Sequence, residues 1–154
     1  MRVRTYKISD VEAIIELFYG TVHHVNIRDY NQEQVDAWAP ANINLQFWQD
    51  RLSSTFTYVA EEGDKIIGFG NLEDNGHIDC FYCHQDFQRQ GVGSQILENI
   101  ELKARELGIK RLSTAASITA KPFFIGKKFI VVSQQQVELR GQVFINFFME
   151  KFIV

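Results

Sequence analysis

The chain predicts an α/β fold of the α+β type: a mixed, largely antiparallel sheet of six to seven strands, with helices on both faces and one parallel strand–helix–strand crossover. Three observations carry this expectation. Two turn signals, Glu62-Gly63-Asp64 and Asn75-Gly76, separate three strand-like runs between Phe56 and Cys83, which makes an antiparallel meander. A long amphipathic helix beginning near Val92 stands between two strand-like runs, and such a connection is right-handed between parallel neighbours. Arg140-Gly141 then separates two further strands.

In chain order, Val3–Ile8 reads as a first strand. Ser9-Asp-Val-Glu12 has capping-box spacing, the Ser9 hydroxyl accepting an N–H and Glu12 reciprocating. Val11, Ile14, Ile15 and Phe18 recur at helical spacing, so a helix runs to about Tyr19. The polar and aromatic stretch from His23 to Pro40 contains a short helix around Gln32–Ala39, and Leu45–Leu52 reads as another. Strands follow at Phe56–Ala60, Ile66–Leu72 and His77–Cys83. Val92, Ile96, Leu97, Ile100, Ala104 and Leu107 mark one face of the long helix, which Gly108 stops. Arg111–Ala115 is the next strand, Lys121–Lys128 a helix, and Ile130–Glu138 and Val143–Glu150 the last two strands.

At 154 residues and 45% hydrophobic content, the chain fits one domain, 1–154, with a substantial core. A net charge of −3 and the lack of a basic block argue against nucleic acid as partner. No apolar run approaches a membrane span, and the first residues lack the apolar core of a signal peptide. Two cysteines make a disulfide framework improbable, so a cytoplasmic location is expected. The stretch Phe144-Ile-Asn-Phe-Phe148 is read as core, with a homodimer interface as its other use.

Gln88-Arg-Gln-Gly-Val-Gly93 links a strand to a helix, a place where backbone N–H groups and the helix dipole converge on an anion. A Walker loop would need a Gly-Lys-Ser/Thr ending, and a dinucleotide loop a third glycine; neither is present. The segment instead resembles the acyl-CoA pyrophosphate motif of the GCN5-related N-acetyltransferases: Gln or Arg, two residues, Gly, one residue, then Gly or Ala. The resemblance extends over the whole chain in element order.

It implies an acetyl-CoA-dependent N-acetyltransferase acting on an amine of a small molecule or protein by direct transfer through a tetrahedral intermediate. The expected donor-binding residues are Gln88, Arg89, Gln90, Gly91, Val92, Gly93 and Ser94 at the pyrophosphate. Phe81, Tyr82 and Cys83 are expected to offer main-chain contacts to the pantetheine arm.

Acetyl transfer needs a neutral amine, a route for its proton, and stabilisation of the oxyanion. His77 and Asp79, two apart on one strand, are placed on a common face, where some family members keep a base; Asp79 is preferred because it lies further into the strand. The family often carries a Tyr acid in the helix after the fifth strand. In Pro122-Phe-Phe-Ile-Gly-Lys-Lys-Phe129, Phe124 falls at that Tyr and Lys128 at a family Gly. Tyr82 or Tyr30 is then the alternative donor, or water protonates the thiolate. The same departure motivates a second reading, a non-catalytic acyl-CoA-binding sensor or interaction module. His23, Arg28, Tyr30 and Trp38 lie where the family varies its acceptor cover and are the expected acceptor contacts.

Cys80-Phe-Tyr-Cys83-His84 formally matches a haem c attachment pattern. Residues three apart on a strand face opposite sides, so the two thiols are expected to be separate, buried, and ligands of no metal.

Overall fold

The strands align into one sheet in the order β1-β2-β3-β4-β5-β7-β6 in a computed structural model that describes residues 1–154. They are β1 (Arg2–Thr5), β2 (Phe56–Glu62), β3 (Lys65–Leu72), β4 (His77–Cys83), β5 (Arg111–Ser117), β6 (Ile130–Leu139) and β7 (Gln142–Phe152). All neighbours are antiparallel except β4 and β5. The helices are α1 (Val11–His24), α2 (Gln32–Trp38), α3 (Leu45–Ser53), α4 (Val92–Glu106) and α5 (Lys121–Gly126). No helix is long and apolar enough to cross a membrane.

Strand alternation sends successive residues to two apolar clusters: Val59 joins α1 and α3, and Ala60 joins α4. α4 lies directly on β3 because Gly68 and Gly70 have no side chains. A Cβ at Gly68 would stand 2.6 Å from the Val92 side chain.

The start of the chain departs from the sequence reading. β1 ends at Thr5, and Ile8–Asp10 forms a 3₁₀ turn. The reciprocating carboxylate is Asp10, which accepts the Lys7 N–H at 2.8 Å, in place of the expected Ser9/Glu12 box. Asp10 is fixed there by two 2.9 Å hydrogen bonds from Arg4, a partner that the local pattern does not show. α1 also runs past Tyr19 to His24. Thr21 and Val22 continue its buried stripe, and Gly20 is a close-approach residue whose added Cβ would meet Gln85 at 2.6 Å.

The feature that positions the site is a seam. β4 and β5 share only two register pairs, His77↔Ser113 and Ile78↔Thr114, then diverge while β4 continues to Cys83 and β5 to Ser117. On its other side, β4 slips register against β3 between Asn71 and Leu72, which leaves Asp79 with no opposite residue.

Candidate active site

The diverging strands open a cleft of 630 Å³, lined by β4 and β5, the first turn of α4 and the last turns of α1. The glycine-rich loop closes one end. Gln88 ties this loop to the strand: its Nε2 donates to the Cys83 carbonyl at 2.8 Å and to that of His84 at 3.3 Å. Arg89 and Gly91 both take left-handed backbone (φ 59° and 85°), and Gly91 is the N-cap of α4. No side chain caps that helix, so its first N–H groups keep their donors for a ligand. A Cβ at Gly91 would meet nothing within 4 Å, so the space in front of it is open; one at Gly93 would meet the Phe123 ring at 3.0 Å. These are the properties an anionic pyrophosphate requires. Of the donor residues expected from sequence, Phe81, Tyr82, Cys83, Gln88, Arg89, Gly91, Val92, Gly93 and Ser94 line the cleft, and Gln90 does not.

Asp79 is the only carboxylate in the cleft wall. Arg51 grips it in bidentate fashion, Nε at 2.7 Å and Nη2 at 2.8 Å, and Asn71 adds a 3.3 Å bond. The guanidinium also lies over Trp48, 5.2 Å from the ring centre. Burial by itself would raise the Asp79 pKa, but the hydrogen bonds and charge of Arg51 outweigh it and hold the carboxyl below its ordinary value. Of the two residues expected on one strand face, Asp79 lines the cleft and His77 does not: its Nδ1 bonds Ser113 Oγ across the seam at 2.9 Å.

Tyr82 stands at the junction of the cleft with a smaller cavity of 170 Å³ and lines both. Its oxygen accepts the Trp38 indole N–H at 3.1 Å, and its ring stacks on Phe69. Burial pushes its pKa above the ordinary phenol value, so it stays protonated. Phe124, by contrast, is buried among Phe81, Phe123 and Phe129 and offers no proton.

The expected acceptor contacts divide. Trp38 borders both cavities and Arg28 stands exposed at the rim of the cleft. Tyr30 contributes its ring to the smaller cavity while its hydroxyl is spent, accepting the Ile118 N–H at 2.9 Å and donating to the Ile145 carbonyl at 2.6 Å. His23 is not brought to either cavity: the extended α1 carries it away, stacked on Tyr19 with Nε2 against the Ala39 carbonyl at 2.7 Å. Cys80 packs on the α1 side of the sheet and Cys83 on the α4 side, both thiols free. Burial pushes Cys83 up to about 11. No group of three or more His, Cys, Asp or Glu side chains has metal-binding geometry.

Three contributors escaped the sequence reading. Thr21 Oγ1 donates to the Cys83 carbonyl at 2.9 Å, Asn71 holds both Asp79 and the Cys80 N–H, and Arg51 anchors Asp79. Arg51 left one signal: it sits between Trp48 and Leu52 on the apolar stripe of its helix, where a cation needs a buried partner.

A cleft of this kind, opened through a mixed sheet and closed by a glycine-rich helix start, defines an acyl-donor transferase fold. Residues 26–151 match the acetyltransferase (GNAT) domain family model. The chain is 32% identical over 149 residues to an uncharacterized N-acetyltransferase, YafP, of Escherichia coli K12, covering 97% of this chain and 94% of that one. A GCN5-related N-acetyltransferase from Rhodopseudomonas palustris superposes with a TM-score of 0.95 at 28% identity, covering 99% and 95% of the two chains. The PaiA N-acetyltransferase of Thermoplasma acidophilum, solved with coenzyme A, shares the fold at a TM-score of 0.79 and 17% identity, covering 99% and 98%. The chain belongs to the GNAT acetyltransferase family.

Proposed function

We propose that this acetyl-CoA-dependent N-acetyltransferase moves the acetyl group directly to an amine acceptor, with Tyr82 and Asp79 as its proton-handling residues. The observation that carries this reading is the β4–β5 seam opening onto an uncapped helix start at Gly91. Amides of the Arg89–Ser94 loop and of α4 would hold the donor pyrophosphate, and the free inner edge of β4 would pair with the pantetheine amides.

The acceptor nitrogen would attack the thioester carbonyl, forming the C–N bond of a tetrahedral intermediate, which then collapses with cleavage of the C–S bond. The nitrogen proton leaves to Asp79, directly or through water. The Tyr82 O–H, which lines the cleft and makes no hydrogen bond of its own to another residue, would be free to donate to the leaving sulfur. A thiol of pKa roughly 8.5 leaves readily as thiolate, so a hydrogen bond from Tyr82 suffices without full proton transfer.

The expectation of a cytoplasmic enzyme rests on the two unpaired thiols, and that of a homodimer on the Phe144–Phe148 stretch of β7, beside the exposed edge strand β6; analytical ultracentrifugation tests the second. The primary test is a thermal-shift titration with acetyl-CoA, CoA, ATP and NAD. At a hundred times its Kd, a ligand of the folded state adds about 2.7 kcal/mol. A shift with acetyl-CoA and CoA alone is expected, and no shift at millimolar concentration would overturn the proposal.

A further inference from the structure

The 170 Å³ cavity beside the cleft has a wall of unusual chemistry for an enzyme whose acceptor is an amine. Its faces are the rings of Tyr30, Trp38, Tyr82 and Phe144, closed by Val137 and Leu139, and none of its lining residues carries a charge. Trp38 is held edge-on to Tyr30 and Phe144 at ring-centre distances of 5.3 and 5.9 Å. The Tyr30 hydroxyl and the Trp38 N–H are bonded within the protein, Ser117 Oγ accepts the Ala120 N–H, and the Asn146 amide oxygen accepts from Gln135 Nε2. The cavity shares Trp38, Tyr82, Ala115 and Ser117 with the cleft, so a molecule seated in it projects toward the thioester position. An apolar cavity of about 150 Å³ accommodates benzene, so this one has the capacity of a single ring.

The proton-accepting side of the site is equally particular. Asp79, the sole carboxylate of the cleft, has both oxygens engaged by Arg51. It is poorly suited to stripping a proton from an alkylammonium ion before attack. An amine already neutral at pH 7 needs no such step: once its nitrogen has bonded to the carbonyl carbon it becomes strongly acidic, and a weak base or water removes its proton.

We propose that the acceptor is a primary arylamine, its uncharged ring lodged among Tyr30, Trp38, Tyr82 and Phe144. This rests on the acetyl-transfer reading above. The balanced reaction is ArNH₂ plus acetyl-CoA to the N-aryl acetamide plus CoA thiol: the aryl nitrogen gains the acyl carbon and loses one proton, and the sulfur gains one. A carbocyclic ring replaces water in the cavity and buries its apolar faces, whereas the distal ammonium of a diamine or lysine would give up its hydration there for ring faces and the Ser117 and Asn146 side chains, with no carboxylate to neutralise it.

The test measures acceptor-dependent CoA release with aniline and 4-methylaniline beside benzylamine, putrescine and a lysine peptide, using protein that shows the acetyl-CoA thermal shift. The arylamines are expected to exceed putrescine and the lysine peptide in kcat/KM by at least about 10²-fold. Val137→Glu, on an exposed wall position, puts a carboxylate at the cavity and should lower the arylamine value about tenfold or more while raising that of putrescine. The same variant should leave the acetyl-CoA shift in place. Preference for putrescine or the peptide in the parent enzyme overturns the arylamine assignment and leaves acetyl transfer standing. Acetyl-CoA binding with no turnover of any amine overturns it as well. Loss of acetyl-CoA binding in the parent enzyme instead removes the transferase reading beneath it.

Discussion

β3 and β6 belong to one sheet, yet Ile67–Leu72 of β3 are all buried, while β6 is exposed at every position except the half-buried Gln135. β3 is sandwiched between α1 and α4, and β6 is an edge strand with one neighbour. The seam between β4 and β5 separates these two environments. The covered half carries the glycine-rich loop, Asp79 and Tyr82. The open half supplies Val137, Leu139 and Phe144 to the wall of the smaller cavity. The cleft at the glycine-rich loop is thus built on the more buried part of the sheet, and the smaller cavity is closed by the more exposed part.

The largest effect that would sharpen this contrast is on stability. Phe69→Ala empties a fully buried site and should cost about 3–5 kcal/mol, whereas Val132→Ala on β6 should stay within about 0.5 kcal/mol. Urea denaturation of both variants checks it, and equal losses would break the comparison. Within the covered half, Tyr82→Phe should lower kcat by about 10²-fold with little change in acetyl-CoA affinity. Steady-state kinetics at saturating donor read this directly, and an unchanged kcat would remove Tyr82 from the chemistry.

Asp79→Asn should lower turnover about tenfold and spare donor affinity. It also has a pH signature. Because the folded carboxyl titrates below its unfolded value, the Arg51–Asp79 pair contributes stability that is fully present above about pH 4 and is lost as the pH falls through the lower folded value. With both side chains partly exposed, the contribution is about 1–2 kcal/mol. Unfolding free energies at pH 3 and pH 6 should therefore converge between parent and variant on the acid side; a constant gap would contradict the pairing. The smallest effect is a gain: Lys128 holds φ 76° just beyond α5, and Lys128→Gly should add about 1 kcal/mol, read as a raised Tm.

Local features were legible in the chain. Asn75-Gly76 and Arg140-Gly141 turn where their tolerance of positive φ allows, and Gly76, Arg140 and Gly141 all adopt it. The glycine-rich helix start is likewise a matter of neighbouring residues. What escaped depends on distance along the chain. Arg51 and Asp79 are 28 residues apart, and Arg4 with Asp10 shows only in three dimensions why Ser9 does not cap. The helical spacing was followed only to about Tyr19, because Gly20 carries no side chain and its packing partner Gln85 lies far along the chain. The divergence of β4 from β5 has no local pattern at all, since the residues that pair across it are 36 positions apart.

That divergence makes the sheet two plates fastened by a short weld. The weld consists of the two-residue parallel ladder, the His77–Ser113 bond and the Thr114 hydroxyl bound to the Ile78 carbonyl at 3.1 Å. Pulled from β1 and β6, the plates would part there before either tore within itself. A donor bound along β4 as proposed would act as a splint across the gap, so the molecule that brings the acetyl group would also set how firmly the two halves hold their alignment.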